Sequence, residues 1–217
     1  MASSLMHIAV AEELYKKIKK KLNINYYEYI LGSISPDISN IINESKIKSH
    51  FIDNNKSIPN IDIFQKKYGK NLSNSFNLGY FVHLYTDKLF YEDYYPLFIE
   101  ERFFTSIIKC LDKTTIKVSD EEKRKMLYSD YTNLNKQLIE EYNLNLDIFY
   151  NEFIIPDTTI NEIPINKLNL LIENAGIIIQ NIASYKEYII DITSIKSFIN
   201  DCVEEIYSYL IAINIIQ

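Results

Sequence analysis

Histidine is scarce in this chain, with 3 among 217 residues, and none occurs after position 83. Imidazole chemistry is therefore confined to the N-terminal part. Chain breakers are equally few, 4 glycines and 5 prolines. Together with long periodic segments, that excludes a loop-rich or turn-dominated fold and predicts a mainly helical one. The two cysteines, Cys110 and Cys202, are far apart and in no CxxC-type spacing, which excludes a disulfide framework and a thiolate metal site. Two free thiols in a reducing cytosol are expected. Positive charge is not in excess: the formal net charge is −6, which argues against general affinity for duplex nucleic acid. No apolar run is long enough to span a bilayer, and Ile206 to Ile216 is interrupted by polar residues, so no transmembrane segment is predicted. The opening Met-Ala-Ser-Ser-Leu-Met-His has no basic stretch followed by an apolar one. No signal peptide is read there, and a cytoplasmic location is expected. GxGxxG, Walker-type and nucleophile-elbow patterns are missing, as are internal repeats and low-complexity linkers.

What is present is enough to build a core. Apolar residues make up 47% and charged residues 24%, the balance of a folded chain of one domain. The 18 tyrosines, with many isoleucines, asparagines and lysines, point to an AT-rich coding genome. Hydrophobic periodicity predicts helices over 7–22, 26–31, 61–70, 73–95, 96–112, 119–142, 164–183 and 193–215. Residues 40–60 read as polar and irregular, and 144–157 as a connector. In the first helix His7, Val10, Ala11, Leu14 and Ile18 share one stripe, so His7 should face inward. The lysines at 16, 17, 19, 20 and 21 complement the helix dipole at its C-terminal end.

The segment Asn77-Leu-Gly-Tyr-Phe-Val-His83-Leu-Tyr-Thr-Asp87 carries the clearest chemistry. Leu78, Phe81, Val82, Tyr85 and Leu89 recur at helical spacing and predict one buried face. His83 and Asp87, four apart, sit on successive turns of an adjacent face. Gly79 lies one turn earlier on that face and is read as leaving open space over the histidine. Two readings stay open for the pair: a packed, hydrogen-bonded couple, or two ligands to one divalent ion. Asp37, in Gly32-Ser-Ile-Ser-Pro36-Asp37, is either an acid stabilised at a helix N-terminus capped by Ser35, or a carboxylate at the mouth of a pocket. His50, followed by Phe51 and Ile52, is read as pointing inward from a turn. Lys46 and Lys48 beside it read as solvated loop charge. His7, Asp37, His50, His83 and Asp87 together form a nitrogen and oxygen donor set suited to zinc, and also to manganese or iron.

These residues resemble the zinc-dependent phospholipase C family and the related zinc-dependent single-strand nucleases. The resemblance is carried by Met6-His7, Gly32-x-x-x-Pro36-Asp37, Ser49-His50-Phe51 and Gly79-x-x-x-His83-x-x-x-Asp87, over roughly residues 1–95. It implies an all-α helical bundle with the metals in a cleft, a bacterial source, and a single domain 1–217 in which 1–95 binds metal and 96–217 covers the core. It also implies one zinc on Asp37, His50, His83 and Asp87, and a second on His7 and Asp87, for which the family also uses a terminal amine. A third zinc, needing two more histidines, is not expected. The implied activity is that of a metal-dependent hydrolase, a phosphoesterase using metal-activated water with Asp37 orienting it. The substrate would be a small phosphoester or phospholipid-like molecule. Two alternatives stand beside it: a non-catalytic helical binding protein with a structural metal, and an HD-type phosphohydrolase using Asp53.

Overall fold

The computed structural model describes residues 2–53, 58–180 and 186–216. Two helices form its centre. Helix α1 (Ser4–Ile18) starts where Ser3 accepts a hydrogen bond from the backbone N–H of Met6, and α6 (Ser75–Leu89) starts where Asn74 caps Asn77. Both are buried more completely than an amphipathic stripe requires. In α6 every residue from Ser75 to Asp87 is buried, and in α1 all but one from Leu5 to Leu14. The reading of one buried face on α6 is therefore corrected. The helix is enclosed all round, and its polar residues must find partners inside the protein.

Helix α2 (Tyr26–Ile34) packs against α6 closely enough for backbone to meet backbone. A Cβ on Gly79 would lie 2.0 Å from the carbonyl oxygen of Tyr29, and one on Gly32 would lie 2.2 Å from the carbonyl oxygen of Phe76. Gly79 thus serves helix packing and does not open space over His83, which corrects the sequence reading. After α2, Ser35–Asp37 forms a 3₁₀ turn with Pro36 in its first turn. Ser35 is not a cap, as had been expected, because its hydroxyl donates back to the Leu31 carbonyl. Short helices α3 (Ile38–Ile41) and α4 (Lys46–Ser49) follow, then α5 (Ile61–Tyr68).

Beyond α6 the chain makes a π-helical turn at Phe90–Tyr94 and a 3₁₀ turn at Tyr95–Leu97. The helix predicted for 96–112 does not form. In its place stands an antiparallel sheet of β1 (Ile99–Glu101), β2 (Thr105–Lys109) and β3 (Thr115–Ser119). Ile108 pairs with Ile99 and with Ile116, while Ser106 pairs with Val118. Two-residue alternation in Thr115-Ile-Lys-Val-Ser outweighs the weak helical spacing, and an Asx turn at Asp112 closes the hairpin through Thr114. The expected all-α class is therefore corrected to a mostly helical fold with a small sheet.

Helix α7 (Asp120–Tyr142) opens on a Ser119–Glu122 capping box. Helices α8 (Leu168–Gln180) and α9 (Ile192–Ala212) complete the described elements. The last part of the helix read over 164–183 lies outside the described residues. The connector read at 144–157 holds one 3₁₀ turn, Asp147–Phe149. From α7 the buried carboxylate of Asp130 accepts the backbone N–H groups of Tyr188, Ile189 and Ile190.

Candidate metal centre

All five singled-out side chains meet where α1, the 35–37 turn, the end of α4 and α6 converge. His50 Nε2 lies 3.3 Å from His83 Nε2, 3.6 Å from Asp37 Oδ1 and 3.7 Å from Asp87 Oδ2. His83 Nε2 is also 3.7 Å from Asp87 Oδ2. A tetrahedral ion with bonds of about 2.0–2.1 Å places its ligand atoms roughly 3.4 Å apart. These four separations stand close to the edge lengths of such a site, although Asp37 and Asp87 do not fall in one donor group. Two groups of donors lie within 4.8 Å of one another: Asp37 with His50 and His83, and His7 with His83 and Asp87.

Tautomers follow from the outer partners. His83 Nδ1 is 2.8 Å from the carbonyl oxygen of Ser33, which can only accept. Nδ1 therefore carries the proton and Nε2 keeps a lone pair for a metal. His50 Nδ1 is 2.8 Å from Ser49 Oγ, which holds that ring with Nε2 toward the cluster. Ser49 is fixed in turn, its hydroxyl 3.1 Å from Ser39 Oγ and its carbonyl accepting from Tyr80. Behind His50, Phe51 adopts φ 52° and ends α4 with Ile52 N–H bonded to the Ile47 carbonyl, a Schellman closure built on a residue other than glycine. Its ring packs edge-on against Phe64. The His7 ring stacks on His83 at 3.7 Å between centroids.

Charge states suit metal binding. Burial would raise the Asp37 and Asp87 carboxyls, but neighbouring imidazoles outweigh it and hold both below the usual carboxylate range. Lys46, 3.5 Å from Asp37, acts in the same direction. Burial depresses His83 to about 3, with His7 adding to the effect, so its imidazole is neutral at ordinary pH. Among the described residues, both ring nitrogens of His7 and Asp87 Oδ2 are buried without a hydrogen-bond partner. Orphaned buried polar atoms are costly, and a shared cation would satisfy them.

Because His83 offers a single free nitrogen, it can serve only one of the two donor groups. An ion on the Asp37 side takes His83, leaving His7 and Asp87 one donor short for another. The backbone N–H of Ala2 donates to Asp87 Oδ1 at 3.1 Å, beside that shortfall. Asp53 is exposed and outside both groups, which disfavours the HD-type alternative.

Asp37, His50 and Asp87 line the floor of a cleft of about 1570 Å³. Its walls include Ile41 and Pro59, Tyr91 and Tyr95 after α6, Leu127 and Tyr131 on α7, and Leu171 and Ala175 on α8. Sequence reading assigned the residues of α7 and α8 to a part that covers the core, and nothing in their spacing marks them otherwise. Lys46, read as solvated charge, proves to be an ion partner of Asp37. Residues 6–89 match the family model of zinc-dependent phospholipase C. No curated protein and no solved structure matches the chain significantly. No helix among the described residues is long and apolar enough to cross a membrane. Residues 6–89, which carry all five donors and all three histidines, are similar to the zinc-dependent phospholipase C family, and their two His/Asp groups support a metal-dependent hydrolase.

Proposed function

We propose that the protein is a zinc-dependent phosphoesterase acting on a small phosphoester or phospholipid-like substrate. One zinc would be held by Asp37, His50, His83 and Asp87, and a second by His7 and Asp87 when a further donor completes that site. A zinc ion in such a site supplies Lewis acidity and brings the pKa of water from 15.7 toward about 7. The chain's own groups do the rest. The Ser33 carbonyl holds His83 with Nε2 free to bind metal, and Ser49 orients His50 with Nε2 toward the same point. Asp37 lines the cleft, its Oδ1 held by Asn40 at 3.0 Å, and would orient the water. Lys46 puts positive charge beside the position of a phosphoryl oxygen.

The observation that carries this reading is the donor spacing of 3.3–3.7 Å at the floor of an open cleft. Four protein donors fill a tetrahedron, so water would have to enter from the cleft as a fifth ligand, an access that a closed structural site lacks. The test compares wild type with His83→Ala, purified without added metal. Wild type is expected to carry zinc and to hydrolyse bis(p-nitrophenyl) phosphate in a chelator-sensitive way, and the variant to lose both. Equal metal content in the two proteins would sink the proposal.

A further inference from the structure

The loop joining β1 to β2 is a tight turn, closed by the Arg102 N–H on the Thr105 carbonyl at 2.8 Å. Its two central residues are Phe103 and Phe104, 89% and 76% exposed. Their rings touch each other edge-on, 4.3 Å between centroids. Two adjacent phenylalanines at the tip of a rigid hairpin, presented to water, are costly unless something apolar receives them. The three residues leading into this tip, Glu100, Glu101 and Arg102, line the metal-site cleft. The tip is therefore part of the cleft's outer rim, and whatever surface it enters faces the cleft mouth.

The charges around the tip indicate the kind of surface. Arg102 pairs with Glu100 at 3.0 Å, and Lys123 with Glu101 at 2.6 Å and Asp120 at 3.1 Å. These cations are neutralised by their neighbours and do not form a basic field. Arg124 on the same rim and Lys109 and Lys117 on the sheet add scattered positive charge, but the net charge of −6 gives no overall attraction to an anionic membrane. We propose that the Phe103–Phe104 tip inserts into the interfacial region of a zwitterionic lipid surface and holds the cleft mouth against it. The free energy comes from apolar burial, not from charge. The inference gains its purpose from the phospholipid-like substrate reading, but the surface is tested without any turnover.

The chain has no tryptophan, so Phe104→Trp provides a single reporter. Adding phosphatidylcholine vesicles is expected to shift its emission to the blue, and brominated acyl chains should quench it. Phe103→Ser/Phe104→Ser should weaken vesicle sedimentation of the protein by more than about tenfold, with unchanged metal content and thermal melting. Raising salt should leave wild-type binding unchanged. No blue shift, or binding that requires anionic lipid and fails in salt, would overturn the proposal. So would a wild-type dimer, seen by analytical ultracentrifugation, that the double serine variant abolishes, because the tip would then be a contact between copies. Vesicle binding without phosphodiester hydrolysis would leave this surface standing and remove only the enzymatic reading. Hydrolysis of a water-soluble phosphodiester without vesicle binding would do the reverse.

Discussion

Replacing Gly79 by alanine adds one methyl group at the tightest point between α2 and α6. The new Cβ would lie 2.0 Å from the Tyr29 carbonyl oxygen and 2.9 Å from the Ser33 nitrogen. Carbon–oxygen contacts settle at roughly 3.3 Å, so the helices must separate locally by about 1.3 Å. Neither obstacle is a side chain that can rotate away; both are backbone. In an open helix the same change would stabilise by about 1 kcal/mol through helix propensity. Overpacking of a filled interior costs about 1–3 kcal/mol and sometimes more. The clash lies at the upper end of that range, which leaves a net destabilisation of about 2 kcal/mol. The Ser33–His83 hydrogen bond spans the same helix pair. Metal sites tolerate errors of about 0.2 Å in ligand distance, so zinc affinity should fall by about tenfold or more. Urea unfolding of the metal-free protein measures the first effect, and a chelator competition titration the second. A Gly79→Ala protein as stable as wild type, with the same zinc affinity, would refute the argument.

Three further outcomes are expected. His83 is depressed to about 3 in the folded protein, while an unfolded histidine titrates near about 6.5, so below that pH the unfolded chain takes up a proton the folded one refuses. Metal-free protein should therefore lose about 2 kcal/mol from this residue between pH 8 and pH 5, with the two depressed carboxylates adding losses only below about pH 4. Urea midpoints that agree at pH 8 and 5 would contradict this. Asp130→Ala strands two buried backbone donors and one half-buried one and should cost about 3 kcal/mol by thermal or urea unfolding, and a loss under about 1 kcal/mol would mean those N–H groups find other partners. In a chain whose first residue is Ala2, the nitrogen beside Asp87 is a primary amine with a lone pair and no longer an amide. Mass spectrometry under native conditions should then show a second zinc that N-acetylation removes.

That the five side chains would converge was legible because their chemistry is local in kind even though they are remote in sequence. Three histidines, each beside apolar residues, had few roles open to them, and His83–Asp87 at helical spacing fixes a direction. The outer partners were not legible. The Ser33 carbonyl that sets the His83 tautomer is a backbone group, and every residue has one. Gly79 was misread because a missing Cβ signals either a ligand or a neighbouring backbone, and only the position of Tyr29 decides between them. Residues 96–112 were read as a helix because aromatic and aliphatic residues there satisfy both periods over so short a span. The cleft walls on α7 and α8 looked like core because a residue facing a half-enclosed cleft needs the same apolar character as one facing another helix.

Helix α1 is enclosed by α2, α6, α7 and α9, and Lys17 near its end pairs with Glu204 on α9. During synthesis α1 therefore leaves the ribosome long before α9, and the surface that packs on α9 waits for it. Once α6 has emerged, α2 and α6 shelter part of α1 and His7 can meet Asp87, but the face that packs on α9 stays uncovered until the end of translation. A nascent chain stalled before Ile192 should be held by chaperones or lost to proteases, whereas one released after Ala212 should escape both.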